Sequence, residues 1–318
     1  MNRRSFLKTL GLAGATVVCP RVAGAAEPSG GGEPYGVLVD TTRCVGCNTC
    51  TAACAEANGL PEPKDPEAVT TPTTTQWTAI GRYKTSKGEV FAKHQCMHCQ
   101  VPACGAACLT QAMHKTAAGP VVWREDKCMG CRFCMVSCPF GVPKFEYSSA
   151  NPRIRKCVMC AGRLQKGQQP ACVENCPEGA LTFGKRSDLL REAHQRIVKN
   201  PEQYVDAVYG EREAGGTSWL YLAGVPFDQI GLPTNVEETA YPNLTTSFLY
   251  SVPTVLTLAP AFMLGVSRAI RSDRNGHGNG NGNGNGHANG NGHENGNGDG
   301  VEASARSNAA GSDKEVRS

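Results

Sequence analysis

What the 318-residue sequence lacks narrows it first. No sign of charge prevails: 32 Lys and Arg stand against 28 Asp and Glu, a net charge of +4. Those charges are dispersed and give no ground for a nucleic-acid partner. Aromatic residues make up only 6% of the chain. The apolar run near the N-terminus, Thr9–Val18, is too short to span a bilayer comfortably. Charge is absent altogether from residues 239–267, between Glu238 and Arg268. Glycine is abundant at 37, but eleven of these lie in one Asn-Gly tail between Asn275 and Gly300, so the folded part is less glycine-rich than the total suggests.

Cysteine is what the chain has in excess. Seventeen are too many to pass without disulfides or metal. Cys19 stands apart near the N-terminus; the other sixteen form four quartets. The first is Cys44, Cys47, Cys50 and Cys54; the second is Cys96, Cys99, Cys104 and Cys108. The third is Cys128, Cys131, Cys134 and Cys138, followed by Pro139, and the fourth is the stretched Cys157, Cys160, Cys172 and Cys176, followed by Pro177. Three thiolates at 2-2 spacing wrap one compact inorganic body, and the fourth is thrown onto the next turn, where in two-cluster ferredoxins it reaches the other cluster. Four such quartets imply four 4Fe–4S clusters. Zinc, the competing reading for an isolated C-x2-C pair, usually joins two separated arms. Disulfides between neighbours three apart in a tight loop have poor geometry. With all sixteen cysteines assigned as ligands, no open metal site or evident base remains for a catalytic iron–sulfur enzyme. A zinc-stabilised scaffold would be told apart by metal and sulfide analysis.

The front of the chain, Met1-Asn2-Arg3-Arg4-Ser5-Phe6-Leu7-Lys8, a weak apolar run and Ala23-Gly24-Ala25, has the layout of a twin-arginine export signal over residues 1–25. The alternative is an ordinary secretory signal or a short anchor. Val18 is bulky where a lipoprotein site needs a small residue, so Cys19 is expected to leave with the signal. A route that exports folded protein lets clusters be inserted in the reducing cytoplasm before the thiols meet an oxidising compartment.

Between the quartets short strands are expected at Tyr35–Asp40, in a hairpin of Trp77–Tyr83 and Glu89–Lys93 turning at Lys87-Gly88, and at Val121–Trp123, Lys144–Tyr147 and Ala180–Phe183. Strand, cysteine loop, helical turn, strand is the ferredoxin plan, here doubled, in an α+β fold. Arg43, Lys127 and Lys156 each precede the first cysteine of a quartet, where a cation would favour the reduced cluster; the competing reading is a solvated side chain at a loop edge. His98, inside a quartet already supplied with four thiols, is expected to hydrogen-bond rather than ligate.

Several stretches taken together carry a resemblance to a known family. They are Cys96-Met97-His98-Cys99, Gly130-Cys131-Arg132-Phe133-Cys134-Met135-Val136, Val142-Pro143-Lys144, Gly215-Gly216-Thr217 and Leu222-Ala223-Gly224-Val225-Pro226. The chain resembles the HybA-type iron–sulfur subunits of membrane-bound nickel–iron hydrogenases from its export signal to its C-terminal apolar segment. The quartets alone also match electron-transfer subunits of molybdenum oxidoreductases such as formate dehydrogenase and dimethyl sulfoxide reductase. The resemblance implies a non-catalytic subunit on the periplasmic side of the inner membrane. It would take electrons from the hydrogenase small and large subunits and pass them to an integral membrane subunit that reduces quinone. It also implies that quartets one and four, and two and three, exchange their last cysteines. Cys44, Cys47 and Cys50 would then share a cluster with Cys176, and Cys157, Cys160 and Cys172 one with Cys54. Likewise Cys96, Cys99 and Cys104 would go with Cys138, and Cys128, Cys131 and Cys134 with Cys108. Two departures stand out: Ala55 and Leu109 follow the fourth cysteine where the family pattern has proline, so those turns are expected to differ.

The organisation expected is a signal at 1–25, a four-cluster domain at 34–185, a helix and loop-rich extension at 186–243, a transmembrane helix at 246–268 and a disordered Gly/Asn-rich tail at 275–318. The extension's helix is Ser187–Lys199, with Leu189, Leu190, Ala193 and Ile197 on one side. The loop-rich stretch after it, with its Gly-Gly-Thr and Gly-Val-Pro elements, is expected to drape over the cluster domain or a partner, core packing being the alternative for Trp219, Tyr221 and Leu222. A helix over the uncharged stretch would reach about 44 Å, against a hydrocarbon core of roughly 30 Å. Pro253 and Pro260 would kink it without forbidding it. A buried soluble helix is the alternative. Arg268, Arg271 and Arg274 follow at once and would place the C-terminus in the cytoplasm. His277, His287 and His293 in the tail are expected to do little.

Overall fold

A computed structural model of the chain describes residues 32–276. The predicted export signal, Cys19 and the three tail histidines lie outside the described residues. In chain order the elements are β1 (Tyr35–Asp40), α1 (Thr49–Asn58), β2 (Ala79–Thr85), β3 (Gly88–His94), α2 (Ala103–Ala106), β4 (Met113–Lys115), β5 (Val121–Trp123) and α3 (Phe133–Val136). They continue with β6 (Lys144–Phe145), β7 (Ile154–Arg155), α4 (Ala161–Leu164), α5 (Ala171–Glu174), β8 (Leu181–Lys185), α6 (Arg186–Lys199), β9 (Trp219–Leu222) and α7 (Tyr241–Gly276).

The core is built on β1, whose Gly36–Asp40 stretch is buried. It is the middle strand of a sheet ordered β8-β1-β9, antiparallel to β8 and parallel to β9. The parallel pair β1 and β9 is joined by a long connection that includes β8 and α6. Strand side chains alternate between faces, and here each face meets a different partner. Leu38, Leu220 and Leu222 pack with Leu189, Ala193 and Ile197 of α6. Val37, Val39, Trp219 and Tyr221 turn the other way and pack with Cys50, Met97, Met159 and Cys172. One sheet therefore fixes both a supporting helix and the apolar bed of three cysteine loops.

Asp40, at the end of β1, is buried yet fully satisfied. Arg196 of α6 approaches at 3.0 Å, the Tyr204 hydroxyl donates at 2.8 Å, and the Thr42 hydroxyl donates at 2.6 Å. That knot ties the last turn of α6 to the segment entering Cys44.

The predicted elements are present with shifted ends. The hairpin turns at Ser86-Lys87, between the paired Thr85 and Gly88. The strand expected to Tyr147 stops at Phe145, and the one expected at Ala180 starts at Leu181. The stretch 200–243 holds more than loops: Trp219–Leu222 is a strand with all four residues buried. Helix α7 is longer than the predicted span, and Tyr241–Arg271 within it is apolar enough to cross a membrane by length and composition, its most apolar 18-residue window having a mean hydropathy of 1.6. Pro253 and Pro260 sit inside it without ending it.

Candidate metal centres

Each cysteine loop is shaped by one backbone reversal. The residue before the second cysteine has a left-handed conformation in all four quartets: Gly46 (φ 74°), His98 (50°), Gly130 (73°) and Met159 (49°). Such a residue curls the chain so that cysteines three apart share a cavity instead of flanking the backbone. Glycine accepts this freely, whereas His98 and Met159 adopt it against their side chains. A second left-handed residue, Asn48 or Arg132, follows in the two 2-2 runs and opens α1 and α3. The third cysteine of every quartet then sits on a helical turn: Cys50 in α1, Cys104 in α2, Cys134 in α3 and Cys172 in α5.

Three of the fourth cysteines are held in one kind of turn. The N–H groups of Gln111, Gly141 and Gly179 donate to the carbonyls of Cys108, Cys138 and Cys176 at 3.0, 3.1 and 3.2 Å. All three donors are left-handed. Leu109 in place of proline therefore leaves its turn unchanged. Cys54 differs: α1 runs through it to Asn58 and ends at the left-handed Gly59.

Two sets of four thiols each line a cavity. Cys44, Cys47, Cys50 and Cys176 line one cavity. Cys108, Cys128, Cys131 and Cys134 line another. The nearest thiols acting on Cys99 are Cys96, Cys138 and Cys104. Those acting on Cys54 are Cys172, Cys160 and Cys50, and Cys54 acts in turn on Cys157. Cys176 thus lies with the first quartet, and Cys108 with the third. All sixteen are free thiols. Thiolate sets of this kind are soft donors of the sort that hold iron–sulfur groups.

Burial dominates the thiol electrostatics. It pushes Cys54 and Cys104 up to about 12, and Cys134 and Cys172 up to about 11. These groups hold their protons until a metal displaces them. Amide donors also reach sulfur: the Met113 N–H points at Cys108 Sγ at 3.4 Å, and the Met159 N–H at Cys157 Sγ at 3.3 Å.

Of the three basic residues before a quartet, Arg43 and Lys127 are exposed, the solvated arrangement. Lys156 is buried, its ammonium donating to the carbonyls of Val121 and Cys157. His98 is buried as well, and its Nδ1 accepts the Val121 N–H at 2.8 Å. Burial, reinforced by Lys156, keeps its ring neutral. Val121 therefore bridges the second and fourth cysteine loops.

One contributor escapes a sequence reading: Lys93, next to last in β3, is buried in the core beside the cysteines. The Gly215-Gly216-Thr217 stretch closes on the second loop: Gln100 N–H donates to Gly216 O at 2.9 Å and Ser218 N–H to Met97 O at 3.1 Å. Arg186 holds that stretch in place through Thr217 O at 2.7 Å.

Residues 88–186 match the 4Fe-4S dicluster domain model. The chain is 46% identical to a protein of Nitratidesulfovibrio vulgaris over 83% of its own length and 76% of that protein's. It is 32% identical to the hydrogenase-2 operon protein HybA of Escherichia coli O157:H7, over 88% of this chain and 98% of that protein. The chain belongs to the HybA family of iron–sulfur proteins. HybA-type chains are in turn related to a second group. The iron–sulfur subunit of the nitrate-inducible formate dehydrogenase of Escherichia coli K12 is 33% identical over 58% of this chain and 66% of that subunit. This chain is thus an iron–sulfur electron-transfer subunit related to both.

Proposed function

We propose that the chain carries four 4Fe–4S clusters and relays electrons from a periplasmic nickel–iron hydrogenase to a quinone-reducing integral membrane subunit. The observation that carries this reading is that Cys176 lines a cavity with Cys44, Cys47 and Cys50, and Cys108 another with Cys128, Cys131 and Cys134, in a chain aligned along nearly all of HybA. The groups proposed are Cys44, Cys47, Cys50 and Cys176; Cys54, Cys157, Cys160 and Cys172; Cys96, Cys99, Cys104 and Cys138; and Cys108, Cys128, Cys131 and Cys134. When bound, the clusters supply one-electron redox chemistry at potentials set by their surroundings. The residues do the rest: the left-handed turns aim the thiols, the apolar bed of β1 and β9 keeps water from the inner sets, and amide donors temper the sulfur charge.

A twin-arginine signal at 1–25 and a span within α7 would hold the cluster domain on the periplasmic side, with Arg268 and Arg271 toward the cytoplasm. A molybdenum enzyme as the catalytic partner is the second reading, favoured by the formate dehydrogenase similarity. Anaerobic purification decides both points. Iron and acid-labile sulfide should each approach about 16 per chain, the content of four such clusters, and a nickel–iron large subunit should co-purify. Stoichiometric zinc with little sulfide overturns the cluster reading; a molybdenum subunit selects the second partner.

A further inference from the structure

Lys93 is one of two lysines enclosed by the core, and the two are treated differently. The Lys156 ammonium donates to two backbone carbonyls. The Lys93 ammonium, with three donors, has one oxygen partner, Gln95 Oε1 at 3.0 Å. Its other close neighbour is the Trp219 ring, 4.5 Å to the centroid. No carboxylate pairs with it among the described residues. Gln95 is locked in place because its Nε2 donates to the Tyr221 hydroxyl at 2.6 Å, which donates back to Lys93 O at 2.8 Å. The surroundings are thus a ring of neutral dipoles closed around a full positive charge. A buried charge is tolerated only with a counter-charge.

Among the described residues around it the sulfurs can supply one; the Tyr221 hydroxyl, the other titratable group there, keeps its proton as donor to Lys93 O. Lys93 lines the cavity shared by Cys44, Cys47, Cys50 and Cys176. The charges acting on it come first from Cys172, then Cys50 and Cys157, so a second thiol group is also in range. The group formed by Cys108, Cys128, Cys131 and Cys134 has no buried cation among the described residues: Arg132, which lines its cavity and lies over the Phe145 and Tyr147 rings, is exposed, as is Lys127.

Building on the four-cluster reading, we propose that Lys93 is the shared counter-ion of two clusters. These are the one held by Cys44, Cys47, Cys50 and Cys176 and the one held by Cys54, Cys157, Cys160 and Cys172. Gaining an electron makes a cluster more negative, so a fixed cation nearby favours the reduced form and raises the potential. Lys93 is a positioning charge with no covalent part in the transfer.

The test is a spectroscopically monitored redox titration of the anaerobically purified full-length chain. Lys93→Met removes the charge, and Lys93→Arg keeps it. Gln95→Glu leaves Lys93 in place and neutralises it with a carboxylate. Lys93→Met and Gln95→Glu should each move two cluster potentials downward, leave the cluster of Cys108, Cys128, Cys131 and Cys134 at its wild-type value, and keep iron and sulfide content. Lys93→Arg should stay near wild type. Should Lys93→Met fail to retain iron, Gln95→Glu decides. Unmoved potentials in cluster-loaded Gln95→Glu overturn the role of Lys93 alone, as does an equal shift of all four. Zinc without sulfide in the wild type overturns the cluster reading itself.

Discussion

A left-handed backbone at a residue with a side chain costs about 1–2 kcal/mol, and this chain accepts it repeatedly to aim its thiols. Gln111 is such a residue, exposed, at the place where the sister turns have Gly141 and Gly179. Only its backbone is used, its carbonyl accepting from Arg124 at 2.8 Å. Gln111→Gly should therefore raise stability by roughly 0.5–1 kcal/mol, after the entropy of the freer unfolded glycine is subtracted, seen as a higher denaturation midpoint. Gly210→Ala should do the reverse. An added Cβ would stand 2.3 Å from Trp219 O at a φ of 93°, and a loss of about 2–4 kcal/mol is expected. The thiols give a second residue-scale test. Cys54→Ser and Cys160→Ser should perturb the same spectroscopic signal, and Cys50→Ser and Cys176→Ser a different one; pairing of Cys54 with Cys50 would refute the crossed grouping. The cysteines were legible because their spacing is local. Lys93 was not: nothing in Glu89–Lys93 reveals that a lysine ends inside, since its burial depends on Trp219, far along the chain.

At the scale of elements, α6 and β9 are the instructive pair. The helix shows itself by recurrence, with Leu189, Ala193 and Ile197 one turn apart and all buried. Strand β9 hides because it is buried on both faces, so its apolar run has no alternation, and because its partner β1 lies far upstream. Leu189→Ala should cost about 2–4 kcal/mol through the cavity it leaves between α6 and the sheet, measurable by chemical denaturation. Truncation after Gly210 keeps every quartet cysteine but removes β9 and the stretch that closes on Cys99. Such a chain should bind substantially less iron and lose protease resistance. Full iron content in it would show that the strand is dispensable for the centres.

For the whole molecule, α7 extends about 54 Å at 1.5 Å per residue, well beyond a hydrocarbon core of roughly 30 Å. Under the proposed topology, protease added to intact spheroplasts should digest the cluster domain and spare the C-terminal tail. Digestion of the tail alone would reverse the orientation. Replacing Arg3 and Arg4 by Lys should leave the protein in the cytoplasm, and normal export would argue against a twin-arginine route.

The parallel pairing of β1 with β9 also sets a clock on biosynthesis. Tyr35 leaves the ribosome long before Trp219 is made, an interval of about 10–40 s at 5–20 residues per second. Throughout it, β1 lacks one neighbour and its free edge can pair with other chains. The residues after Leu222 take further seconds to synthesise, so the sheet can close while the chain is still tethered to the ribosome, apart from its copies.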